Sequence, residues 1–387
     1  MTLKQIIKKN LKKLRSILRF LKSLLNTLRS RFSNAKLTQN RIMVIYDATH
    51  QPFAVGDFLV TQIASLINCH KFNVDLCDFV IIYESKTPAM SDSVFSAVVE
   101  KDNVLLVITS LISILNLNQV TGSVFVFNSK SQADRYIFNN ASSYKNIFPG
   151  FVDYSIGTYL NHLIFNDLIH SFYVENNFIP KFVPNKSLQD WAYLFMGEHI
   201  GHSFPVTVNI RNNPHWGTER NSKIVEWKKF FEYCTDKFPV KFIVICVKNE
   251  IPDELKTLPN VIFAKDYQTE LDQELVLIAN SKFHMGSNSG PAAMAYFGSK
   301  PYFIFGLNIS DSTNSDFLYS SLVQEIANKK FKFIFSSMGQ SFSSEPETFD
   351  LLCQSFLDMF DLIKDSGIVS YVKNNQSKRN SRYLWMR

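Results

Sequence analysis

Residues 276–301, VLIANSKFHMGSNSGPAAMAYFGSKP, constrain this chain more than any other stretch. They read as the end of a helix, a short buried strand Ser281 to Met285, a tight polar turn Gly286-Ser287-Asn288-Ser289-Gly290, and a new helix opened by Pro291. Proline suits the first helical position because its missing N–H would be unpaired there anyway. The turn then aims backbone donors, the positive end of the helix dipole and the hydroxyls of Ser287 and Ser289 at one point, a generic anion site whose commonest guest is phosphate. On the plainer reading, Ser289 only caps a helix and Gly290 only permits a close turn. The setting favours a ligand, since in open α/β sheets ligands sit outside the carboxyl ends of strands.

The rest of the chain supplies that setting. Arg41 to Tyr46 reads as a buried strand, followed by the loop Asp47 to Pro52 and the helical segment AVGDFLVTQIASLINC. Further apolar runs at Phe79 to Tyr83, Val104 to Thr109 and Val124 to Asn128 read as strands, each separated by enough chain for a crossover. A second series begins at Val206 to Arg211. It continues through a helix from Ser222 to Asp236, the strands Lys241 to Val247 and Val261 to Ala264, a helix from Glu270 to Asn280, and the turn. Strands Tyr302 to Phe305 and Phe331 to Phe335 follow, then a final helix from Pro346 to Lys364. Such alternation predicts an α/β fold with parallel, doubly wound sheets. At 387 residues the chain is expected to form two domains, each burying its own core. The expected units are 1–38, a basic helix and linker; 39–195, a first α/β domain; 196–345, a second; and 346–387, a helix returning toward the first domain with a tail.

Charge is placed unevenly. Residues 1–36 hold eleven Lys or Arg and no carboxylate, so the remainder, with 30 basic against 34 acidic residues, is mildly acidic although the whole chain carries +7. From Leu3 to Phe32 apolar residues recur at helical spacing with Lys and Arg between them, which predicts an amphipathic helix for an anionic membrane surface. A helical oligomerisation arm and a nucleic-acid arm are its rivals. No run is long and uncharged enough to span a bilayer, and no apolar centre suits a signal peptide. The five cysteines form no CxxC pair and no zinc spacing, which fits a reduced, cytoplasmic location.

Two features turn this outline into a resemblance. The order strand-Arg (VNIR, ending at Arg211), helix, strand (FIVICV), strand (VIFAKD), helix and NSKFHMGSNSGPAAMAYFGSKP resembles the donor half of GT-B glycosyltransferases of the heptosyltransferase-like and fucosyltransferase-like groups. Gly56-Asp57-Phe58-Leu59-Val60-Thr61 is similar to the GD-x-L-x-T turn of their first half. The first strand lacks the basic residue and glycine that often precede that turn, and VTVNIRNNPHWGTER is closer to the fucosyltransferase-like pattern.

The resemblance implies two Rossmann-like domains facing a cleft, and transfer of a sugar, inverting and metal-independent, from a nucleotide-sugar to a glycan or lipid-linked acceptor. It implies Asp57 as the catalytic base and Arg211, Ser287, Asn288, Ser289 and Gly290 as the donor diphosphate site. Asp266, Tyr267 and Gln268, after the strand Val261 to Ala264, would be in reach of base and ribose. His50 and His284 are weaker candidates, the first as base and the second as a strand residue near the cleft, and Asp272 and Glu274 read equally well as solvated helix positions. No cofactor, no metal and no nucleic-acid partner is expected. The partners are a nucleotide-sugar, an acceptor in cell-surface polysaccharide or lipopolysaccharide synthesis, and the inner face of the cytoplasmic membrane, met through residues 3–32. A pyruvyl transferase using phosphoenolpyruvate and a catalytically silent scaffold of the same fold are the alternatives.

Overall fold

The computed structural model describes residues 40–49, 54–83, 104–156, 162–213, 218–307, 322–327 and 329–365. The basic segment 3–32, His50, the polar loop 310–316 and the tail from Asn374 lie outside the described residues.

In the first half, β1 (Arg41–Asp47), β2 (Leu76–Ile82), β3 (Thr121–Phe127) and β4 (Asn146–Phe148) form one parallel sheet in the order β3-β2-β1-β4. Only Arg41 of β1 escapes burial, because helices cover both faces: α1 (Val55–Phe72) is followed by α2 (Val104–Ser113) and α3 (Lys130–Asn140). The run Val104 to Thr109, expected as a strand, is instead the start of helix α2. It buries Val104, Ile108 and Leu111, at helical spacing, and exposes Leu105 and Leu106. An unbroken apolar run carries no period, so the helix was indistinguishable from a buried strand by pattern. The helices α4 (Phe151–Ile156), α5 (His162–Asn176) and α6 (Lys186–Phe195) fill the expected interdomain stretch.

In the second half, β5 (Phe204–Asn209), β6 (Val240–Ile245), β7 (Val261–Phe263), β8 (Phe283–Ser287) and β9 (Tyr302–Phe305) run parallel. The crossovers include α7 (Ile224–Thr235), α8 (Leu271–Asn280) and the short α9 (Ala292–Tyr296). Strands β10 (Val323–Ala327), β11 (Lys330–Phe333) and β12 (Gln340–Ser343) extend the sheet to β10-β11-β12-β9-β8-β5-β6-β7, with β10, β11 and β12 antiparallel to one another and β12 parallel to β9. Each sheet reverses its winding beside its first strand: β1 stands between β2 and β4, and β5 between β6 and β8. Those two reversals are topological switch points, where the carboxyl ends of neighbouring strands leave an open crevice.

Packing departs from the expectation of two closed cores. One cluster belongs to the second half, with Trp227, Phe230, Phe231, Phe242 and Phe356 among its buried rings. The last helix, α10 (Phe349–Asp365), joins it through Leu352, Phe356, Met359 and Ile363, with Phe230 and Phe356 ring centroids 5.5 Å apart. Its described residues therefore pack on the second half instead of returning to the first. A larger cluster is continuous across both halves, joining Phe58, Ile63 and Leu115 to Leu277, Ala293 and Tyr296. Among the described residues no helix is long and apolar enough to cross a membrane.

Candidate active site

The second switch point is built by close approach of backbone. Asn209 at the end of β5 is in register with Gly286 of β8, and a Cβ on Gly286 would lie 2.6 Å from the Asn209 carbonyl oxygen. Only glycine lets the strands meet there. Ser287, which ends β8, is buried and accepts a hydrogen bond from Asn209 Nδ2 at 3.4 Å. Asn288 N–H donates to the Phe305 carbonyl at 3.2 Å, and Asn288 Oδ1 accepts from the Tyr296 hydroxyl at 3.1 Å. The Ser289 hydroxyl oxygen is buried with no hydrogen-bond partner among the described residues. Helix α9 is only five residues long, and the N–H groups of Ala292, Ala293 and Met294 bond back to Ser289, Gly290 and Pro291. Hydroxyl and amide side chains of the turn thus count for more than helix dipole, contrary to the expected balance.

Arg211 lies two residues beyond β5 and is buried. Its N–H donates to Ser222 Oγ at 3.1 Å, its carbonyl accepts from the Ser222 N–H at 2.7 Å, and its guanidinium donates to Asn221 Oδ1. Burial lowers its pKa, as does the positive charge of Arg220, while Glu250 and Glu219 oppose the change. Two like charges gathered at a strand end suit an anion. Beside them is a cavity of about 210 Å³ lined by Arg220, Asn221, Lys223, Ser287, Asn288, Gly306, Ser344 and Glu347, among others. Arg211 is not in that lining and reaches it through Asn221. Arg220, Lys223, Ser344 and Glu347 escaped the sequence reading. The first two belong to an irregular loop and a helix cap, and the others come from a segment more than a hundred residues later. The only available signal was the density of basic residues shortly after the strand.

The first switch point carries Asp57. It is the third residue of α1, half-buried, and no side-chain cap is made by the N-cap residue, Ala54. Asp57 thus lies inside the first turn and is not the N-cap. Burial pushes its carboxyl up to about 7, against a favourable bond from its own N–H. The fully buried Tyr46 feels that carboxylate and has its own pKa raised, first by burial and then by Asp57. At the end of β1 the buried Asp47 is held by Lys130 at 2.6 Å and by the Thr49 N–H and hydroxyl at 3.0 and 2.6 Å.

The two switch points touch. A Cβ on Gly290 would lie 3.0 Å from Val55 Cβ and 3.1 Å from Gly56 N, so the start of α1 rests directly on the turn of the second half. Asp57 and Ser289 are each one residue from this contact.

Other candidates fall elsewhere. His284 is fully buried in the middle of β8, its Nδ1 is 3.0 Å from Thr207 Oγ1, and burial drives its pKa down to about 3. It is a neutral core residue and not a cleft group. Asp266, Tyr267 and Gln268 form an exposed turn after the edge strand β7, with the Tyr267 ring tilted against that of His199, centroids 4.1 Å apart. The loop that reaches Arg211's neighbour is the one after β6, where Glu250 Oε2 accepts from the Asn212 N–H at 3.0 Å. Asp272 and Glu274, read as solvated, are buried: Asp272 accepts from Asn116 Nδ2 at 2.9 Å, and Glu274 pairs with Lys265 at 2.6 Å. Among the described residues no group of three or more His, Cys, Asp or Glu is placed to hold a metal ion.

No family model matches the sequence, and no curated protein matches it. Among solved structures it is similar to a glycosyl transferase family 9 protein from Veillonella parvula DSM 2008, with 12% identity and a TM-score of 0.46 over 71% of this chain and 82% of that one. It is similar to the E. coli ADP-heptose lps heptosyltransferase II, with 11% identity and a TM-score of 0.47 over 83% of this chain and 99% of that one. A third likeness is to the E. coli heptosyltransferase WaaC with ADP-2-deoxy-2-fluoro heptose, at 10% identity and a TM-score of 0.42 over 82% of this chain and 99% of that one.

Proposed function

We propose that the chain is a glycosyltransferase that moves a sugar from a nucleotide-sugar to a glycan or lipid-linked acceptor in cell-surface polysaccharide synthesis. The observation that carries the reading is the Gly56–Gly290 contact. It brings a desolvated carboxylate from one switch point beside the hydroxyl- and amide-bearing turn of the other, next to clustered arginines.

The chemistry follows from where charge moves. As the glycosidic bond breaks, negative charge grows on the leaving diphosphate, and preorganised positive donors lower that barrier. Arg211, Arg220 and Lys223 supply the charge in this proposal, and Ser287, Asn288, Ser289 and the Gly290 amide orient the phosphates. Asp57 accepts the proton of the acceptor hydroxyl. A carboxyl titrating at about 7 is a stronger base than an ordinary one and is still half ionised at that pH. Glu250, on the loop after β6, forms the proposed rim for ribose and base. Transfer with inversion and without metal belongs to the same proposal, as does a cytoplasmic enzyme held at the membrane through residues 3–32.

Thermal unfolding of the full chain with UDP, GDP, CMP, dTDP, ADP and phosphoenolpyruvate tests this. A ligand specific for the folded state at 100 times its dissociation constant adds about 2.7 kcal/mol. One nucleotide is expected to raise the midpoint of the parent and to lose that effect in Arg211→Ala and Arg220→Ala. A response to phosphoenolpyruvate alone, or to none of the six, would sink the proposal.

A further inference from the structure

We infer that the first half carries a second ligand site, a pocket for a sugar residue at the amino end of its sheet, away from the cleft. Its centre is Asp78, the one charged residue of the otherwise apolar strand β2, buried to 2% exposure. Side chains alternate across a strand, so Asp78 shares the face of Val80 and Ile82, which pack in one cluster with Ile137 of α3 and Ala141. From Arg41 to Asp47 strand β1 advances six residues, roughly 20 Å at about 3.3 Å per residue. The pocket and the first switch point therefore lie at opposite ends of the sheet.

The chain departs from regular pairing to place this carboxylate. Strands β2 and β3 are in register at Cys77 with Thr121 and again at Phe79 with Val124, so Gly122 and Ser123 together oppose Asp78 in a β-bulge. Such bulges re-aim side chains and recur beside functional sites. A Cβ on Gly122 would overlap Asp78 Oδ1 and lie 3.1 Å from Arg41 Nη1, so any side chain there would displace the pair. Arg41 Nη1 and the Ser123 N–H each donate to Asp78 Oδ1 at 2.8 Å, and the Tyr144 hydroxyl donates to Oδ2 at 2.9 Å. This fixed group opens onto a cavity of about 430 Å³, a size that suits a small ligand, with Phe125, Tyr136, Asn140 and Ser143 also in its wall.

The lining selects the class of ligand. Arg41 and Asp78 cancel each other's charge and no other charged residue lines the cavity, which disfavours a phosphate. Among the described residues Arg41 has no side-chain partner except Asp78, so the rest of its guanidinium fork is open to acceptors. Asn140 Nδ2 donates to the Tyr136 carbonyl at 2.8 Å and leaves Oδ1 to accept. Serine and tyrosine hydroxyls do both. Mixed donors and acceptors without net charge match a sugar, each of whose hydroxyls donates and accepts. The rings of Phe125 and Tyr136, with centroids 4.8 Å apart, add an apolar wall for the C–H groups of a pyranose.

Saturation-transfer NMR of the full-length protein with glucose, galactose, rhamnose, N-acetylglucosamine and chitobiose tests this. At least one sugar is expected to bind, and inorganic phosphate is expected not to displace it. Asn140→Ala should weaken that binding by about two- to tenfold, the worth of one net hydrogen bond. Tyr136→Leu should abolish it; if that variant does not fold, Asn140→Ala, at the last residue of α3, still decides. Binding should persist in Arg211→Ala. The inference fails if none of these sugars binds, if Asn140→Ala leaves the affinity unchanged, if phosphate displaces the sugar, or if Arg211→Ala removes the signal and so puts the sugar in the cleft. None of these outcomes depends on a nucleotide response, so failure here and failure of the transferase reading are separate results.

Discussion

At the scale of single residues, Asp57 sets the testable chemistry. Its carboxyl titrates near 3.8 when unfolded and is pushed up to about 7 by burial in the folded protein. In its proposed role as base it acts only when ionised, so transfer is expected to rise with pH to a plateau above about 7. Asp57→Asn should lower kcat by about 10²- to 10⁴-fold, the range for a positioned acid or base. The stability consequence has the opposite sense. A folded pKa above the unfolded one means that the native state holds the proton more tightly, so stability falls as pH rises between these two values. Thermal midpoints of the Asn variant should therefore lose part of that decline and exceed those of the parent above pH 7, where activity is lost. An Asn variant that is both active and no more stable would remove Asp57 from the site. Arg211, Ser287, Asn288, Ser289 and Gly290 were legible because they sit in one strand end and one turn. Arg220, Lys223 and Glu347 were not, since nothing local in the sequence aims a loop at a turn about seventy residues away.

At the scale of elements, the glycine turn does two jobs that substitution separates. At Gly286 a methyl would strike the backbone of Asn209, and neither strand can yield without losing ladder hydrogen bonds. Gly286→Ala is expected to destabilise the protein by about 1–3 kcal/mol, visible in denaturant unfolding. At Gly290 the methyl would meet Val55 and the Gly56 amide at 3.0 and 3.1 Å, a crowding that a small shift between the halves relieves. Gly290→Ala should leave stability nearly unchanged and weaken nucleotide binding and turnover, measured by titration and steady-state kinetics. Equal losses of stability in the two variants would show that the Gly56–Gly290 contact is only structural. Element type followed from pattern where a period existed, as in α8 with its capping box at Glu270 and Gln273. It failed for Val104–Ser113, where ten residues without a charge carry no marker of which face is buried until neighbours choose one.

At the scale of the whole molecule, the apolar cluster continuous across both halves joins what would otherwise be two folding units. Unfolding is expected to be a single cooperative transition, with far-ultraviolet circular dichroism and tryptophan fluorescence, to which Trp227, buried in the second half, contributes, reporting the same midpoint. Two resolved transitions would show that the halves keep separate cores. Sequence alone was sufficient for the α/β alternation, the glycine turn at a strand's carboxyl end, and the segregation of charge into the first 36 residues. Each is written in local spacing, which is where period, turn chemistry and charge are expressed. Only the tertiary structure decided that α10 stays on the second half, that His284 is a core residue, and that Gly56, beside Asp57, meets the Gly290 turn. Those outcomes depend on which surfaces remain to be buried once the sheets have formed, and on two glycines 234 residues apart whose missing side chains matter only when they face each other.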